Sequence, residues 1–112
     1  MKTYYTVYSN PMPGKEAEFN DWYTNVHLAE VLQIDGFISA QRFVLTETQV
    51  INDQPYRYMT MYQIDNDNIE QTVENLMVAA GDLQMSDAMD TDNLHIAIVQ
   101  SVTGVVTQGV VS

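Results

Sequence analysis

The chain has 112 residues, of which 15 are acidic and 4 basic, and its formal net charge is −11. That length suits one domain, residues 1–112, with a real core. The charge argues against nucleic acid or an anionic membrane as partner, because both need basic surface. There is no cysteine, which removes disulfides, thiolate chemistry and cysteine metal sites. No apolar run approaches the ~18 residues of a membrane span. The N-terminus reads straight into a strand without a charged-then-apolar leader pattern, so the expected location is cytoplasmic.

Residues 2–9 are rich in Tyr, Thr and Val and predict a strand. Tyr4, Thr6 and Tyr8 point one way, and Thr3, Tyr5 and Val7 the other. Two prolines and Gly14 within residues 10–14 make a turn. A helix is expected over residues 14–32, with Glu16 and Glu18 favouring its dipole. At ~100° per residue, Phe19, Tyr23, Val26 and Glu30 share an arc of about 60°. His27 lies beside Glu30 at i, i+3, a spacing that makes neighbours on a helix surface. Trp22 flanks the other side, and Leu28 and Leu32 fall on the outer side. An ionisable pair on a face meant for burial is the feature that asks for an explanation.

Asp35-Gly36 stops this helix. Residues 36–45 form the second strand, with Phe37, Ser39, Gln41 and Phe43 on one face and Ile38, Ala40, Arg42 and Val44 on the other. Residues 46–55 are a polar hairpin connection, and residues 56–64 the third strand. There Tyr56, Tyr58, Thr60 and Tyr62 line one face. A second helix is expected over residues 67–80, ended by Gly81, with Ile69, Val73, Leu76, Met77 and Ala80 as its buried stripe. That stripe carries no ionisable group, unlike the first helix. Residues 82–93 are acidic and weakly patterned, a loop or a lid. Residues 94–106 are the last strand, and residues 105–112 a β-prone tail suited to pairing with another chain.

Strand, helix, strand, strand, helix, strand is the βαββαβ order of an α+β, ferredoxin-like fold: a four-stranded antiparallel sheet with two helices on one face. The strands carry apolar and aromatic residues on both faces. The uncovered face therefore calls for a partner, and a second copy of the same sheet is the simplest one.

The run Asn10-Pro11, Gly14, Glu18-Phe19-Asn20, Trp22-Tyr23, His27-Leu28, Glu30-Val31-Leu32, Gly36-Phe37 and Ala40-Gln41-Arg42-Phe43 resembles the dimeric α/β-barrel superfamily in its EthD-like branch. The resemblance covers about the first 45 residues in motif and the whole chain in topology. It implies a homodimer whose sheets close into a barrel, with a pocket between sheet and helices in each subunit. Relatives include polyketide cyclases, muconolactone-type isomerases, aldoxime dehydratases, haem-degrading monooxygenases and quinol-forming oxygenases, so the fold does not select a reaction. The family's helical histidine maps onto His27. No further catalytic residue is carried over, because the second half of the chain matches none of those subgroups closely.

The residues themselves suit proton transfer. His27, with an ordinary pKa of ~6.5, exchanges a proton near neutrality. Glu30 is placed to hold the imidazole in one tautomer. Asn20 and the hydroxyls of Tyr5, Tyr58 and Tyr62 are candidates to contact a substrate carbonyl or a developing enolate, with Trp22 and Tyr23 completing an aromatic wall. Arg42 pairs either with a substrate carboxylate or, structurally, with Glu30. No motif for a metal or a nucleotide is present, so no cofactor is expected. The leading reading is a small cofactor-free cyclase, isomerase or lyase acting on an aromatic or polyketide-like carbonyl compound. The alternatives are a non-catalytic binder of a small hydrophobic molecule, or accessory protein, and a haem-binding, monooxygenase-like member.

Overall fold

The computed structural model describes residues 1–109. Strand β1 is Thr3–Ser9, β2 Phe37–Val44, β3 Tyr58–Ile64 and β4 His95–Gln100. They form one antiparallel sheet in the order β2-β3-β1-β4. Helix α1 has three parts: an α-helical segment Glu16–Trp22, a π-helical stretch Tyr23–His27, and a closing α-helical segment Leu28–Leu32. Helix α2 is Ile69–Ala79, followed by a 3₁₀ turn, Ala80–Asp82. This is the expected α+β, ferredoxin-like architecture. No helix among the described residues is long and apolar enough to cross a membrane.

Alternation along the strands decides which residues face the helices. On β3, Tyr58, Thr60, Tyr62 and Ile64 are buried. Their cross-strand partners on β1 are Ser9, Val7, Tyr5 and Thr3. The opposite face carries Tyr4, Tyr8, Met59 and Met61. Strand β2 departs from simple alternation: its pairing runs Phe37↔Ile64 and then Ser39↔Gln63, so Ile38 is an extra residue. The bulge flips the phase. Phe37 therefore joins Ala40 and Arg42 on the helix side, where it packs edge-on against Tyr5 and Tyr62. The sequence expectation had placed it on the other face.

Helix α1 also shifts phase. Its Leu28 N–H donates to the Tyr23 carbonyl, five residues back, which inserts one residue into the helical turn. Past that point the buried positions move. Val31 is buried, Leu28 packs against both halves of the core, and Glu30 is only half-buried. Uninterrupted 3.6-residue periodicity had put Glu30 inside and Leu28 outside. On α2, capped by Asn68 through the Gln71 N–H, Thr72 is buried while Met77 and Ala80 are exposed, which moves the stripe off its expected line. Thr72 meets Gly36, whose φ of +102° suits glycine. A Cβ at Gly36 would fall into the Thr72 side chain, 2.8 Å from its Cγ2.

Residues 83–94 run across the end of the helical layer without regular structure. They are strapped down: Met12 N–H donates to the Ala88 carbonyl (2.6 Å), and Asp90 N–H to the Asn10 carbonyl (2.9 Å). Ala88 and Met89 are buried against Phe19, Trp22, Tyr23 and Tyr58. Two strands are shorter than expected, β3 beginning at Tyr58 and β4 ending at Gln100. The β-prone tail forms no strand over residues 101–109, and its last three residues lie outside the described residues.

Candidate functional site

The π-helical turn builds the centre of the site. Five-residue spacing brings Trp22 and His27 onto one line, and their rings stack at 4.6 Å with 27° between planes. Tyr23 meets the same imidazole edge-on at 5.0 Å. The His27 ring is thus fixed by two aromatic neighbours. Its Nδ1 is buried and has no hydrogen-bond partner, which leaves Nε2 as the nitrogen able to meet a ligand. Burial pushes the His27 pKa below its ordinary 6.5, against a smaller opposing pull from the Glu30 carboxylate. The ring is therefore neutral at pH 7.

Glu30 does not orient the imidazole as expected from their i, i+3 spacing. Its carboxylate accepts the Gln84 backbone N–H at 3.0 and 3.2 Å. The carbonyl of that same residue accepts the Trp22 indole N–H at 2.7 Å. One residue of the strap is thereby gripped from both sides by helix α1, and the grip holds the Trp22 ring against His27.

His27 forms part of the wall of a cavity of about 310 Å³ between α1, α2, the strap and the sheet. Tyr5, Tyr23 and Tyr62 contribute the other polar groups, while leucines and the methionines Met77, Met85 and Met89 supply much of the apolar surface. The volume lies at the small end of ordinary ligand sites. Burial raises the pKa of all three phenols, so each is a protonated donor at neutral pH. The Tyr62 hydroxyl is buried with no partner at full hydrogen-bond geometry; the Tyr23 phenol is its nearest polar neighbour, acting on it through its charge and as a long hydrogen-bonding contact.

Trp22 and Glu30 stand behind His27 and do not line the cavity, and three further sequence candidates lie elsewhere. Asn20, Arg42 and Tyr58 join a polar network at the N-terminal end of α1. The Asn20 amide donates to the Tyr58 hydroxyl (3.0 Å), which in turn donates to Glu16. Arg42 donates to Asn20 Oδ1 and Thr24 Oγ1, both at 2.9 Å. Its guanidinium lies over the rings of Tyr23 (4.6 Å), Phe19 and Tyr58. Arg42 thus pairs neither with Glu30 nor with a group in the cavity. None of the three lines the cavity.

Sequence reasoning missed the strap's contribution of Leu83, Met85, Met89 and Leu94. The available signal was the pair of methionines within an otherwise polar segment. His95, at the start of β4, faces away from the helices and packs against Tyr8 and Tyr56.

No family model and no curated protein matches the chain. Solved structures do. An ethyl tert-butyl ether d (EthD) family protein from Bacillus halodurans c-125 superposes with a TM-score of 0.55 at 15% identity, covering 91% of this chain and all of its own. A proposed monooxygenase from Shewanella loihica PV-4 gives 0.54 at 13%, over 93% of this chain and 99% of that one. A dimeric ferredoxin-like protein of unknown function from Jannaschia sp. CCS1 gives 0.59 at 9%, over 90% of this chain and all of that one. At such identities the likeness shows the fold alone, and that fold is ferredoxin-like.

Proposed function

We propose that the cavity beside His27 binds a small hydrophobic carbonyl compound and that His27 moves a proton on it without a cofactor. The observation that carries this reading is the juxtaposition of two uncommitted buried polar atoms, His27 Nδ1 and Tyr62 Oη, on residues that wall an apolar cavity. Buried polar groups are ordinarily paired, so the Tyr62 hydroxyl on the cavity wall points to a missing polar partner, while the sealed His27 Nδ1 leaves the other imidazole nitrogen for proton transfer.

In this reading, the neutral imidazole takes a proton from the carbon next to the carbonyl through Nε2. The bonding pair shifts to the carbonyl oxygen as an enolate, and a tyrosine hydroxyl donates to that oxygen. Return of the proton to another carbon gives isomerisation. Expulsion of a β-substituent gives a lyase. Glu30 acts at one remove, through Gln84 and Trp22, and Asn20, Arg42 and Tyr58 support the helix rather than the substrate.

Haem does not fit these residues. No lysine or arginine lines the cavity to meet its propionates.

A cytoplasmic homodimer is part of the proposal. The sheet face away from the helices leaves Phe43 and Val99 exposed beside Tyr4, Tyr8, Met59 and Met61, and the Jannaschia protein is described as dimeric.

The test is an NMR titration of both imidazoles with a panel of hydrophobic carbonyl compounds, joined to turnover assays on His27→Gln. We expect a depressed His27 pKa that shifts again with a binding compound, and turnover that disappears in the variant. Binding without turnover in the unaltered protein would leave the non-catalytic, ligand-holding reading in its place, and turnover that survives His27→Gln would take His27 out of the reaction.

A further inference from the structure

The cavity's lining also carries information about the charge of what enters it. The chain has four cationic side chains besides its two histidines, and none of the four lines the cavity. Lys15 pairs with Asp87, and Arg57 with Glu16. Lys2 stands at the start of β1, where its N–H binds Ser101. Arg42 comes nearest, but it lies over the Tyr23 ring with both terminal nitrogens held by Asn20 and Thr24. What the cavity does offer is three phenols and one imidazole, with the Glu30 carboxylate beyond the imidazole. That set gives hydrogen-bond donors with no cation in contact with the cavity: the Arg42 charge reaches Tyr23 and Tyr62 only from outside the lining, with its terminal nitrogens already engaged.

Resting on the reading of this cavity as a ligand site, we infer that it selects an uncharged molecule bearing a carbonyl-type oxygen directed at the phenol cluster around Tyr62, and that it rejects the corresponding carboxylate. Burying an ionised carboxylate without a cationic partner is heavily unfavourable. A neutral carbonyl accepts one hydrogen bond from a donor that otherwise lacks a partner. The raised pKa of the phenols keeps these donors protonated across the working pH range.

Three probes of nearly equal shape separate the possibilities at neutral pH: an acetylnaphthalene, the matching ethylnaphthalene and naphthoate. Binding is read by calorimetry and by the imidazole resonances. His27 reports on the cavity, and His95, on the other side of the sheet, serves as the internal control. The ketone should bind about tenfold more tightly than the hydrocarbon and at least about a hundredfold more tightly than the carboxylate, moving His27 and leaving His95 in place. Tyr62→Phe should erase most of the ketone's advantage while the hydrocarbon binds as before.

Naphthoate binding on a par with the ketone, or a ketone advantage that survives Tyr62→Phe, overturns the inference while leaving the cavity as a ligand site. If none of the three probes moves His27, the reading of the cavity as a ligand site falls, and this inference falls with it.

Discussion

Helix α1 touches two polar clusters built from the same kinds of residue. At its N-terminal end, Glu16, Asn20, Arg42 and Tyr58 consume one another's hydrogen-bonding capacity, and the arginine rests on aromatic faces. Only Arg42 Nε lacks an acceptor there. Half-way along the helix, His27 meets the more deeply buried Tyr23 and Tyr62, yet His27 Nδ1 and Tyr62 Oη have no partner. The first cluster leaves one donor, Arg42 Nε, unpaired, but none of Asn20, Arg42 and Tyr58 borders the cavity. The second is incomplete, and it borders the cavity. Residue type alone therefore does not mark a working site; unspent bonding capacity next to open space does.

The variants that would break this comparison can be ranked by expected effect. His27→Gln should lower turnover of an identified substrate by about a hundredfold or more, with thermal stability nearly unchanged. A variant that keeps full activity would remove the distinction. Arg42→Ala, at the first cluster, should destabilise the fold by about 2–3 kcal/mol in denaturant unfolding, because two hydrogen bonds and the ring contacts go together. The depressed pKa of His27 should be retained in that variant; its return to the ordinary value would show the clusters to be coupled.

Tyr58→Phe should cost about 1–2 kcal/mol, as both Asn20 and Glu16 lose a partner. Stability should also vary with pH in a definite direction. The unfolded chain takes up a proton at His27 more readily than the folded one. Stability should therefore be complete above about pH 6.5 and fade as pH falls toward the lower folded value. That part of the slope should vanish in His27→Gln. The smallest effect belongs to Tyr62→Phe, which removes an orphan hydroxyl and should leave stability unchanged or raise it by up to about 1 kcal/mol. A loss of several kcal/mol on thermal unfolding would mean that the hydroxyl is paired in solution and that the second cluster is no less complete than the first.

Much of this architecture is legible in the chain. Alternation puts Tyr58 and Tyr62 on one face of β3 and Tyr5 on one face of β1, and the helix pattern singles out Phe19, Tyr23 and His27; that these strand faces coincide and meet the helices comes only from the register. What escapes is phase. A π-helical turn and a β-bulge each insert one residue without a composition signal. One moves Glu30 off the packed face and brings Trp22 over His27; the other turns Phe37 inward. Neither periodicity contains the information, because both insertions are settled by tertiary packing. The division of the candidates between two clusters is hidden for a similar reason. Asn20 and His27 share a helix, and only the strand partners at Tyr58 and Tyr62 decide what each one meets.

Gly36 bears on the size of guest that the proposed site would take. With no side chain at that position, Thr72 occupies the space where a β-carbon would stand, and α2 is keyed into the turn before β2. The helix cannot drift outward to admit a bulkier guest without leaving that notch. Tolerance for guest size must then come from side chains, and Met77, Met85 and Met89 at the wall are the pliable ones. Under the proposed ligand-holding role, breadth of guest choice would rest on these thioethers, with α2 held in its notch.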